Sequence, residues 1–256
     1  MWRWLLPLLL LGVFPALLAQ DYYEEDYEEE EDTRRRKKTS PKTLTTNLIP
    51  KNGQNRIAED CGVELAFLVD SSESAKDNHA QEKQFVIDVV ERLQGARLHT
   101  GRSLSFRTAL LQYSSRSLTE QTFAQWQGVA HFRTRIRDIP YIGQGTYATY
   151  AITNLTHLYL QESAMSAVKV TLLLTDGQFH PRNPDIFSAV ADAKNQGLRF
   201  FMVGITPAAN EPGNVQRLRL LANSPSERFL HNLQDRNIVD KVVKEIDSGT
   251  FGACVL

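Results

Sequence analysis

From Cys61 onward the chain alternates between two hydrophobic patterns. Val63–Asp70, Val168–Thr175 and Leu198–Ile205 are runs of mostly Leu, Val, Ile and Phe with little polar alternation. Such runs read as strands buried on both faces, as in a parallel sheet. Ser103–Tyr113 reads as a further strand, and Ser117–Phe123 as a short one at an edge. Between the strands the apolar positions recur at helical spacing. Gln81–Leu93 carries Phe85, Val86, Val89, Val90 and Leu93 on one stripe. Gln125–Ile139 predicts a helix stopped by Pro140, with Trp126 and Phe132 in its core face. Tyr147–Leu160 and Pro184–Gln196 predict two more, the latter ended by Gly197. Val215–Ala222, a short strand Arg228–Leu230 and Asp235–Ile246 complete the series. The alternation predicts an α/β fold: a doubly wound, mostly parallel central sheet, helices on both faces and one short antiparallel edge strand. Right-handed crossovers place the carboxyl ends of the parallel strands on one edge, where open α/β sheets bind ligands.

Composition changes this picture mainly before Cys61. The chain has 256 residues, 42% hydrophobic and 23% charged, with a net charge of −1. That is enough for one domain of roughly 100–200 residues plus extensions. Residues 1–19 are Leu-rich after Arg3 and end at a small Ala19, the pattern of a secretory signal peptide. The other reading is an N-terminal membrane anchor, for which the stretch is short; no later segment is apolar enough to span. Residues 20–60 form an acidic block, then a basic block, then a Pro- and Gly-containing linker, and are expected to be disordered. Tyr22, Tyr23 and Tyr27 stand among carboxylates and are candidates for sulfation; a solvated acidic tail is the alternative. Arg34–Lys38 could bind a glycosaminoglycan, be cut by a basic-site protease, or simply neutralise the acidic block. The six histidines lack zinc-like spacing and nothing indicates nucleic acid. Secretion permits a disulfide between Cys61 and Cys254, at the two ends of the domain; pairing with another chain is the other reading. Asn154-Leu155-Thr156 is a glycosylation sequon on a predicted helix, with Asn154 beside or outside its apolar stripe.

The candidate chemistry lies at the sheet edge. The first strand ends in Asp70, followed by Ser72 and Ser74; another ends at Thr175 before Asp176; a Gly143–Gly145 loop presents Thr146. These are oxygen donors only, which suit a hard divalent cation, Mg²⁺ or Mn²⁺. Two carboxylates with neutral hydroxyls leave such a cation electron-poor, so it would seek a partner's Asp or Glu. Each residue taken singly is also an ordinary cap or turn former. A hydrolase is the competing class. The chain lacks a Gly-x-Ser-x-Gly elbow and a phosphate-binding Gly-x-x-x-x-Gly-Lys loop, and His180 is the one candidate base nearby.

Asp70-x-Ser72-x-Ser74, Thr146 and Thr175-Asp176-Gly177 resemble the metal-ion-dependent adhesion site of von Willebrand factor A domains. The resemblance covers roughly residues 61–254. Glu73 is typical of matrix and collagen A domains, where integrins usually have glycine. Tyr141–Tyr147 and the two cysteines resemble the A domains of beaded-filament collagens, types VI and XXVIII. Val69–Lys76 and Asp176–Asp185 resemble type XXVIII most, in its N-terminal A domain. The resemblance implies direct or nearly direct ligation by Ser72, Ser74 and Thr146, with Asp70 and Asp176 acting largely through waters. It implies a secreted, non-enzymatic module of the extracellular matrix whose partners are matrix proteins, collagens among them. The alternative is a structural assembly domain working through surface contacts or disulfides, the metal only stabilising loops. One position departs: Ala148 stands where the family often has a second hydroxyl. No Gly-X-Y repeat is present, so a fragment, a short isoform or a separate A-domain protein are all open.

Overall fold

The computed structural model describes residues 62–97 and 104–247. The signal peptide expected at residues 1–19, the charged blocks with Tyr22, Tyr23, Tyr27 and Arg34–Lys38, and both Cys61 and Cys254 lie outside the described residues.

Six strands form one sheet: β1 (Gly62–Asp70), β2 (Ser105–Tyr113), β3 (Ser117–Gln121), β4 (Val168–Thr175), β5 (Arg199–Gly204) and β6 (Leu230–Asn232). Their order is β3-β2-β1-β4-β5-β6, all parallel except the β2–β3 pair at the edge. The doubly wound sheet with one antiparallel edge strand is therefore as the hydrophobic pattern predicts. Its helices are α1 (His79–Gln94), α2 (Val129–Asp138), α3 (Ala148–Glu162), α4 (Ile186–Asn195), α5 (Pro212–Leu221), α6 (Ser226–Phe229) and α7 (Ile238–Asp247). No helix among the described residues is long and apolar enough to cross a membrane.

Leu65–Val69 of β1 and Leu172–Leu174 of β4 are buried at the centre of the core. The predicted α1 stripe of Phe85, Val86, Val89, Val90 and Leu93 is buried against them. The chain runs from β1 to β2 on one side and later enters β4 on the other, so the strand order reverses between β1 and β4. The crevice above such a reversal is where open α/β sheets take ligands. Below, Tyr159 of α3 fastens the same two strands, its hydroxyl lying 2.8 Å from Glu64 O and 2.7 Å from Val170 O.

Two predicted elements differ. The helix expected from Gln125 begins at Val129, because Gly128 takes a φ of 95° that a continuous helix does not admit. Trp126 consequently sits in the preceding turn, half-buried against Phe106 and Phe132 at 5.6 and 5.9 Å. Phe132 is helix core as expected. The strand expected at Arg228–Leu230 is a helical turn, Ser226–Phe229, followed by a strand, Leu230–Asn232. Pro225 opens the turn, Arg228 N–H closes on Pro225 O at 3.0 Å, and pairing with Met202–Gly204 selects the three strand residues. Asn154 is exposed on α3, one residue before buried Leu155.

Candidate metal centre

The five predicted residues come from three loops above the β1/β4 reversal. Asp70 ends β1; Ser72 follows it; Ser74 lies in a 3-10 turn, Glu73–Asn78. Asp176 follows β4, and Thr146 immediately precedes the entry to α3. Asp70, Ser72, Thr146 and Asp176 are buried and Ser74 is exposed, so the set has a closed floor and an open rim.

Local geometry is built by short turns. Asp70 Oδ1 accepts the N–H of Ser72 at 2.9 Å, and Asp176 Oδ1 accepts that of Gln178 at 2.8 Å. Both carboxylates thus cap the loop they begin, as Asp does in an Asx turn. The Ser72 and Ser74 hydroxyl oxygens are 3.3 Å apart, so the alternating serines share one side of the turn. The Thr146 loop is stitched to both neighbours. Gly143 N–H donates to Ser71 O and Glu73 N–H to Gln144 O, each at 2.8 Å. Ile142 N–H donates to Ser71 Oγ at 2.8 Å. Tyr147 N–H reaches Ser114 O at 2.8 Å, and His180 N–H reaches Thr146 O at 3.0 Å. Gly143 and Gln144 take φ values of 80° and 76°. For Gln144 that left-handed backbone costs about 1 kcal/mol, strain of a kind that collects at functional loops.

The floor is electrostatically unfavourable for the protein alone. Burial pushes the Asp70 carboxyl up to about 7, and the Asp176 charge adds to the rise; hydrogen bonds from Ser72 and Tyr113 oppose it. Glu82 of α1, also fully buried, is pushed well above the carboxylate range by burial and by the charges of Asp70 and Asp176. Its Oε2 accepts the N–H of Asp70 at 3.0 Å, while its Oε1 is buried without a partner. Three buried carboxyl groups that repel one another, with the hydroxyls of Ser72, Ser74 and Thr146 on the same loops, fit a hard divalent cation by charge and by donor chemistry. No group of three or more His, Cys, Asp and Glu among the described residues is arranged to hold a metal. The donor set here is instead mixed, two carboxylates with three hydroxyls.

Sequence reasoning missed Glu82 and Tyr113. Glu82 was legible: it lies three and four positions before Phe85 and Val86, a carboxylate on the buried stripe. Tyr113 was not, because only the register that sets it opposite Asp70 brings its hydroxyl there. The departure at Ala148 stands. Ala148 is buried, and the neighbouring Thr149 hydroxyl is committed elsewhere, donating to Pro184 O at 2.9 Å and accepting from Asn183 Nδ2 at 2.8 Å. His180 stacks on Tyr147 at 4.5 Å between centroids, and its Nδ1 accepts the N–H of Arg182 at 3.1 Å. The one candidate base is therefore occupied in holding its own loop.

Residues 64–245 match the von Willebrand factor type A domain. The chain belongs to this family. The A domain is 25% identical over 193 residues to the chicken (Gallus gallus) collagen alpha-2(VI) chain, covering 68% of this chain and 19% of that one. It is 30% identical over 186 residues to the chicken collagen alpha-1(VI) chain, covering 67% of this chain and 18% of that one. Mouse (Mus musculus) matrilin-4 is 28% identical over 172 residues, 64% of this chain and 25% of matrilin-4. The chain thus spans about a fifth of the length of its collagen VI relatives. Among solved structures, proximal thread matrix protein 1 of the mussel byssus superposes with a TM-score of 0.59 at 15% identity, over 73% of this chain and 48% of that one. A second structure of that protein, with a zinc-occupied MIDAS motif, gives 0.53 at 18% identity, over 73% and 46%. At such identities the superpositions establish the A-domain fold.

Proposed function

We propose that this A domain is a secreted, non-enzymatic binding module of the extracellular matrix, engaging partners through a divalent cation held above the β1/β4 reversal. The observation that carries the reading is the pair of buried carboxylates, Asp70 and Asp176, the charge of one acting on the other, beside the Ser72 and Ser74 hydroxyls 3.3 Å apart. Ser72, Ser74 and Thr146 would hold Mg²⁺ or Mn²⁺ directly or nearly so. Asp70 and Asp176 would act largely through waters, supplying charge and orienting those waters. Bound there, the cation would offer an electrophilic position to an Asp or Glu carboxylate of a matrix protein, collagens included. The likeness to collagen VI and matrilin-4 supports a matrix setting, and the mussel protein's zinc-occupied motif supports a divalent site on this fold.

The finer assignments belong to the same proposal. The motifs Val69–Lys76 and Asp176–Asp185 favour kinship with the N-terminal A domain of type XXVIII collagen. A signal peptide at residues 1–19, sulfation of Tyr22, Tyr23 and Tyr27, glycosaminoglycan binding at Arg34–Lys38, a Cys61–Cys254 disulfide and a glycan on exposed Asn154 all agree with secretion.

Isothermal titration with Mg²⁺ and Mn²⁺ tests the site. Binding is expected in the parent chain and lost in Asp176→Ala; titrations without heat for the parent would overturn the cation reading. A pull-down from extracellular matrix, run with and without chelator, tests its use. Capture that chelator leaves intact would transfer the function to assembly through surface contacts, a reading that the missing hydroxyl at Ala148 favours.

A further inference from the structure

Two fully buried tyrosines bridge the same two strands at opposite ends of the sheet. Tyr159 meets main-chain carbonyls on both, Glu64 O of β1 and Val170 O of β4. Tyr113, the last residue of β2, meets Leu174 O of β4 at 2.6 Å. On β1 it meets no carbonyl: its hydroxyl lies 3.2 Å from Asp70 Oδ2. Leu174 is two residues before Asp176. One phenolic oxygen therefore touches the carboxylate carried by β1 and the main chain that carries the other carboxylate. The two Asp70 oxygens have separate anchors, Oδ1 on the Ser72 N–H and Oδ2 on Tyr113. A carboxylate held at both oxygens cannot turn about its Cβ–Cγ bond without losing one of these bonds. Were the hydroxyl removed, buried Oδ2 would lose its Tyr113 contact, and Asp70 and Leu174 O would lose the group that joins them.

We propose that Tyr113 is a positioning residue of the cation site, setting the rotation of the Asp70 carboxylate and its separation from Asp176. The inference rests on the reading of this edge as a cation site. Outer contacts of this kind typically change metal affinity by roughly 10–100-fold when removed.

Tyr159 supplies the control, because it has the same chemistry, the same burial and the same two strands but no carboxylate. The experiment compares Tyr113→Phe and Tyr159→Phe in the full chain. Mg²⁺ and Mn²⁺ affinities are measured by calorimetry and thermal melting is followed in chelator. Tyr113→Phe is expected to weaken cation binding by roughly 10-fold or more, while Tyr159→Phe lowers the melting temperature and leaves affinity within about twofold of the parent. A purely structural tyrosine predicts the same behaviour for both. Parent-like affinity in Tyr113→Phe overturns the inference and leaves the cation site standing. So does a Tyr113→Phe chain that loses its fold where Tyr159→Phe keeps it, because the hydroxyl then serves the fold at large. A parent chain that binds neither cation overturns the site and this inference together.

Discussion

Asp70 lies fully buried beside Asp176 and Glu82, and its protonation ties stability to pH. Unfolded, its carboxyl releases its proton near the ordinary value of 3.8; folded and without a cation, it does so at about 7. Between about pH 4 and pH 7 the folded state binds the extra proton. Stability contributed by this group therefore falls as pH rises through that window, by up to roughly 4 kcal/mol in all. Glu82 is shifted in the same direction by burial and by the Asp70 and Asp176 charges, so its own contribution also falls as pH rises. Denaturant unfolding in chelator is expected to show a midpoint that declines across this range. Asp70→Asn should reduce that decline and raise stability at pH 7, while abolishing cation binding. Its amide would keep both contacts: the oxygen accepts from Ser72 N–H, and the nitrogen donates to the Tyr113 oxygen, whose proton goes to Leu174 O. An Asp70→Asn chain no more stable than the parent at pH 7 would count against burial as the cause.

The loop from Tyr141 to Tyr147 shows what an element contributes beyond its residues. A Cβ at Gly145 would stand 3.0 Å from the Tyr147 ring and 3.2 Å from that of His180. Those rings stack on each other, and the main chains of Tyr147 and His180 are bonded to Ser114 and Thr146. Gly145→Ala is therefore expected to cost roughly 1–2 kcal/mol, within the usual range for overpacking. It should also weaken cation affinity through the adjacent Thr146. Melting and titration of the same preparation check this; parent-like values in both would show that the rings yield. Elements differ in how well the sequence shows them. Val168–Thr175 has the predicted bounds, because a long apolar run between polar stops leaves little choice. Residues 228–232 do not, because a run this short carries no period and its strand exists only through pairing with β5. Gly128 ends the pattern's claim on residues 125–128 by its backbone angle, which hydrophobicity does not encode.

Across the whole domain the two ends of the sheet are built oppositely. The carboxyl end concentrates uncompensated acid. Toward the other end, Glu64 is compensated: Arg107 Nε and Nη2 donate to its Oε1 at 3.1 and 2.6 Å, and Ala164 N–H adds a third bond at 3.2 Å. Arg107 also donates to Glu162 O and lies 5.5 Å from the centre of the Phe123 ring. Arg107→Met leaves buried Glu64 without its cation, at an expected cost of roughly 3 kcal/mol. Cation affinity at the far edge should not change. Denaturation and calorimetry would separate the two effects, and a large affinity loss would show that the ends are coupled.

The chain's own residues determine the strands, most helices and the oxygen-only character of Asp70, Ser72, Ser74, Thr146 and Asp176, because period and residue chemistry are local properties. Which of these oxygens share a floor is not local. Strand order puts β1 beside β4, so that Asp70 and Asp176 meet although 106 residues separate them in number. Register sets Tyr113 opposite Asp70, and helix packing brings Glu82 to the Asp70 N–H. Those neighbours are chosen by pairing and burial between distant segments, and only the folded sheet supplies both.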